Sequence, residues 1–114
     1  MSNAATLKLS TLKCIRKQDI TGMDEPLLKV NGKQEWNGVM GKGDSKPVNI
    51  SVDFLDFATV ALEELDGGKG KPLGTAVEVP ADRPETRTVD FKTSGAHYEL
   101  TYTVTADAVA ASAT

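Results

Sequence analysis

Apolar side chains in this chain recur at every second position, and that period commits the backbone to strands. Tyr98, Leu100, Tyr102 and Val104 alternate strictly with polar residues. Val48-Asn49-Ile50-Ser51-Val52-Asp53-Phe54 does the same. Successive side chains of a strand point to opposite faces, so each run has one buried and one wetted side. In Leu7, Leu9, Leu12 and Cys14 the alternation changes phase, which predicts a strand carrying a bulge. Pro26 to Val30 is a second short strand, and Asn31-Gly32 after it is a hairpin signal. The return strand runs from Lys33 toward Met40 and carries Trp36.

Further strands are expected from Ala58, over Leu73 to Val79, over Thr88 to Lys92 and over Tyr98 to Val104. The glycine-dense stretch from Asp66 to Pro72 and the proline-bearing stretch from Pro80 to Arg87 read as exposed loops. One helical turn is expected within Phe54-Leu55-Asp56-Phe57-Ala58. About eight short strands with frequent turns describe an all-β chain, an antiparallel sandwich or barrel. With 114 residues the chain suits one domain, and its 39% hydrophobic content suits a single core. The domain is expected over residues 6–105, with an N-terminal tail at 1–5 and a C-terminal tail at 106–114.

The composition narrows function. Thirteen basic against sixteen acidic residues leave a net charge of -3, which argues against a nucleic-acid partner. No run of about 18 apolar residues is present, so no transmembrane segment is expected. Met1-Ser2-Asn3-Ala4 shows no basic segment leading into an apolar one, so no secretory signal is read there. The chain has one histidine, His97, and one thiol, Cys14. Nucleophilic catalysis would have to use one of them, and each has a plainer place: His97 at a strand entry, Cys14 inside an apolar run. The chain is therefore not expected to be an enzyme. A zinc centre built from four nitrogen and sulfur ligands is not expected either.

Carboxylates fall in two groups, Asp19 to Glu25 and Glu63 to Asp66, each where a strand gives way to a loop. Brought together, like charges repel by about 4 kcal/mol per pair at about 4 Å with an effective dielectric near 20. Solvent, lysines or a hard cation must offset that. Calcium takes about six to eight oxygen ligands in irregular loop geometry, so it suits such a cluster better than magnesium.

The segment Asp19-Ile20-Thr21-Gly22-Met23-Asp24-Glu25-Pro26-Leu27-Leu28-Lys29-Val30 resembles the first calcium loop of C2 domains. Val60 to Asp66, continuing through Leu73-Gly74-Thr75, is similar to the third loop of that family. The resemblance spans about Thr6 to Thr105. It implies a C2-like antiparallel β-sandwich and a non-enzymatic module that docks on a phospholipid membrane surface or on a protein partner. Its implied Ca2+ ligands are Asp19 and Glu25, with Glu64 and Asp66, and Asp24 assisting. Its implied lipid contacts are Met23 at the first loop's tip and Lys69 and Lys71 in the third. Lys71 stands where the family usually places a further ligating Asp, which opens an alternative: a metal-free loop end in which Lys71 pairs with Glu64 or Asp66.

Overall fold

The structure is a computed structural model that describes residues 3–16, 23–66 and 68–107. Among these residues there is no helix, and nine strands make two antiparallel sheets. Strand β1 covers Ala4–Arg16, β2 Pro26–Val30, β3 Lys33–Asn37, β4 Ser45–Leu55 and β5 Phe57–Asp66. Strand β6 covers Lys69–Pro72, β7 Val77–Pro80, β8 Thr86–Lys92 and β9 His97–Ala106. One sheet has the order β4-β1-β9-β8. The other has the order β3-β2-β5-β6, with β7 also pairing β5.

The phase change in β1 is a double bulge. Between Leu9 and Thr11 the register slips against both neighbours. Opposite it, β4 carries Asn49 at φ 51, so the extra residue on that strand sits in the left-handed region. The slip returns Leu7, Leu9, Leu12 and Cys14 to the same interior, where all four are fully buried. Asn31 and Gly32 both have positive φ, 52 and 82, the backbone of a two-residue hairpin turn whose twist matches its strands. The Asn31 side chain closes the turn onto β5 by accepting the Thr59 N–H at 2.9 Å.

Inner faces of the two sheets enclose one core. Tyr98, Leu100, Tyr102, Val104 and Phe91 meet Leu28, Val30, Val60 and Leu62 across it. Burying such side chains contributes about 1.5–3 kcal/mol each against the entropy of ordering the chain.

Two local expectations are corrected. The stretch from Phe54 to Ala58 holds no helical turn. Phe54 and Ala58 both face the core from different sheets, and the chain crosses between them at Asp56, with φ 62. Asp56 is pinned there by reciprocal bonds with Asn3 and by accepting the Ala81 N–H. The glycine-dense stretch after Asp66 is not wholly loop, because Lys69–Pro72 pairs with Glu63–Asp66 as an exposed edge strand.

Candidate functional site

Antiparallel pairing of β2 with β5 brings the two acidic segments to one end of the sandwich. Pro26 stands opposite Glu64, and the Leu65 N–H donates to the Glu25 carbonyl at 3.0 Å. Among the described residues, Glu25, Glu64, Lys69 and Lys71 are placed by this junction and by the β5–β6 ladder beside it. Glu64 lies on the core-facing parity of β5 with Ala58, Val60 and Leu62, and is only 3% exposed. Its Oε1 accepts a long bond from the Glu25 N–H at 3.4 Å. Glu25 itself is exposed. In the β5–β6 ladder Lys71 stands directly opposite Glu64, and Lys69 opposite Asp66. Asp19 and the side chain of Asp66 lie outside the described residues.

Asp24 is fully buried. Its backbone makes a two-bond bridge with Met40, each bond 2.9 Å. Its carboxylate accepts a hydrogen bond from the Tyr98 hydroxyl at 2.5 Å. A buried carboxylate is tolerated when hydrogen-bonded, and Tyr98 supplies a donor from the opposite sheet. Burial pushes the Tyr98 phenol far above its ordinary range, and the bonds to Asp24 and to Cys14 push the same way. The phenol therefore holds its proton as a donor.

Met23, beside Asp24, is 49% exposed, and Val39, beside Met40, is 50% exposed. The Asp24–Met40 bridge thus sets two apolar side chains at the loop end, near the Glu25–Glu64 junction. Lys69 and Lys71 are exposed on β6.

A second polar grouping was not anticipated. The outer face of the four-stranded sheet is hydroxyl-rich: Thr86 bonds Thr103 at 2.9 Å, Thr88 bonds Thr101 at 3.0 Å, and Thr6 donates to Asp53 at 2.8 Å. At its β8–β9 corner His97 Nε2 lies 2.8 Å from Asp90 Oδ1, with Glu99 beside them. Among the described residues, this trio is the one set of three His, Cys, Asp or Glu side chains with ligand atoms all within 4.8 Å. The hydrogen bond from His97 holds the Asp90 carboxyl below the usual carboxylate range. A four-residue connection from Thr93 to Ala96 fixes which residues face each other at this corner, a length the residue types alone do not announce.

No family model matches the sequence, and no curated protein matches it. A solved structure described as "Structure of a C2 domain" does share the architecture, with a TM-score of 0.57 at 13% sequence identity. The alignment covers 90% of this chain and 98% of that one. The chain therefore has the C2 fold at low sequence identity.

Proposed function

We propose that this C2-fold chain is a non-catalytic binding module that engages a protein partner through its Met23–Val39 loop end without a resident cation. The observation that carries this reading is the placement of Glu64. It is buried to 3% exposure and stands in register with Lys71. An ammonium facing a carboxylate offsets the charge that a calcium ion would otherwise be needed to neutralise. Asp24 fits the same reading, with its carboxylate turned inward to the Tyr98 hydroxyl. Glu residues at 25 and 64 and a lysine at 71 give a weaker cation cage than an all-aspartate set.

A second reading is calcium-dependent docking on anionic phospholipid. It is favoured by the meeting of the two acidic segments at Pro26 and Glu64, and by Met23, a half-exposed apolar tip. Asp19, Glu25, Glu64 and Asp66 would be the ligands, with Asp24 assisting, and Met23, Lys69 and Lys71 the lipid contacts. Lysines near an anionic surface contribute about 1 kcal/mol each.

Calorimetry and thermal melting with calcium, and sedimentation with phosphatidylserine vesicles, separate the two. The first reading expects no heat, no change in Tm at millimolar calcium and no calcium-dependent sedimentation. It also expects Lys71→Asp to create a calcium response that the parent chain lacks. A calcium-dependent rise in Tm of the parent chain, with calcium-dependent vesicle binding, replaces it with the second reading.

A further inference from the structure

The β8–β9 corner of the outer sheet face holds a donor set made of residues other than Asp24, Glu25 and Glu64, on the opposite parity of β9 from Tyr98, which bonds Asp24. Its geometry follows from one short turn. Thr93 accepts hydrogen bonds at its Oγ1 from the Gly95 and Ala96 N–H groups, at 3.1 and 2.9 Å, and its own N–H donates to the Ala96 carbonyl. The connection is therefore four residues long and Lys92 pairs with His97. From that register Asp90 must stand opposite Glu99. Tyr98 and Leu100 point into the core, so His97 and Glu99 point outward on the same face as Asp90.

We propose that Asp90, His97 and Glu99 form a binding site for a divalent transition-metal ion, zinc being the best match. One imidazole nitrogen and two carboxylate oxygens lie within 4.8 Å of one another before any ion is present. Zinc binds these donors at about 2.0–2.2 Å, which puts tetrahedral ligand atoms about 3.4 Å apart, so small side-chain rotations close the cage. The imidazole selects against calcium and magnesium, which take oxygen ligands, and favours zinc, cobalt and nickel. Three protein ligands leave the fourth position to water at an exposed sheet edge, since β8 is the last strand of its sheet. Carboxylates replace the extra nitrogen and sulfur ligands that the sequence lacks. Lys13 stands in register with Glu99, and Lys92 and Arg16 with His97, so the trio has cationic neighbours on both flanking strands.

The test is calorimetric titration with zinc chloride and visible spectroscopy with cobalt(II), on the full chain and on three variants. The parent chain should bind one zinc per chain. His97→Ala should abolish binding, and Asp90→Asn and Glu99→Gln should each weaken it at least tenfold. All three positions lie on the outer face, and circular dichroism melting confirms that each variant is folded. Excess calcium should not displace the zinc. The assignment is overturned if the parent chain binds no zinc, or if His97→Ala binds as tightly as the parent. A sulfur-to-cobalt charge-transfer band also overturns it, because that would place the ion on Cys14.

Discussion

The Tyr98 hydroxyl donates a hydrogen bond to the Asp24 carboxylate across 74 residues of chain, from the middle of one sheet to the loop end of the other. Both residues are fully buried. The bond ties the sheets together where an acidic side chain has entered the core. Tyr98→Phe keeps the ring and its packing and removes that donor. The expected cost is about 1–3 kcal/mol, read as a lower denaturation midpoint with an unchanged m-value. A variant as stable as the parent would show that Asp24 loses nothing when this donor goes.

Alkaline titration gives a second outcome. Burial raises both tyrosines of the chain, Tyr98 and Tyr102, above the ordinary phenol value. A group raised in the folded state contributes stability that is complete below its unfolded value and is lost as pH climbs above it. Stability should hold up to about pH 10 and then fall by about 1.4 kcal/mol per pH unit through Tyr98, with Tyr102 adding to the loss in the same direction. The Tyr98 share of the tyrosinate absorbance should appear only with unfolding. A hyperchromic step worth both tyrosines at about pH 10, in a chain that remains folded by circular dichroism, would contradict this.

Gly74 sits at φ 82, and a Cβ there would lie 2.7 Å from the Lys92 backbone nitrogen and 3.0 Å from its carbonyl oxygen. Neither atom can swing aside, because Lys92 is held in the β8–β9 ladder. Gly74→Ala should therefore cost roughly 2–4 kcal/mol through strain and close contact. Gly43→Ala makes the comparison, since it has φ 86 with open space around the added carbon. Its cost should stay near about 1 kcal/mol. Equal losses in chemical denaturation would mean that the Lys92 contact adds nothing.

Asn31→Ala tests the hairpin. The change removes the acceptor of the Thr59 N–H and puts alanine at φ 52. A loss of about 1–2 kcal/mol is expected. Asn31→Gly keeps the backbone freedom and should recover part of it, which a denaturation series resolves.

Local rules made much of the fold readable. The bulge in β1 was visible because Leu7, Leu9, Leu12 and Cys14 could share one interior only if the register slipped. The Asn31-Gly32 turn was visible because few residue pairs accept two positive φ angles. The crossing at Asp56 was missed because its causes are distant, namely Asn3 and Ala81. The strand at Lys69–Pro72 was missed because glycine and lysine carry no strand signature, and pairing with β5 alone makes it one.

The candidate site divides in the same way. The approach of the Glu25 and Glu64 segments agrees with a loop motif legible in the sequence. What Asp24 and Glu64 do there was not legible, because spacing does not say whether a carboxylate faces water or a buried hydroxyl. The Asp90, His97 and Glu99 corner was illegible for a related reason. Its members lie close together between Asp90 and Glu99, but residue types alone do not say where the turn falls, and the length of the Thr93–Ala96 connection decides that they face one another.

Strand β6 forms one border of its sheet, and its four residues Lys69, Gly70, Lys71 and Pro72 are all exposed. A border that reads lysine, glycine, lysine and proline is a poor template: the proline has no N–H to offer, and the ammonium groups repel a like neighbour. Stacking of one molecule onto another along this rim is thereby discouraged, and concentrated solutions should stay dispersed. Exchanging both lysines for valine would remove that safeguard and invite fibrous association.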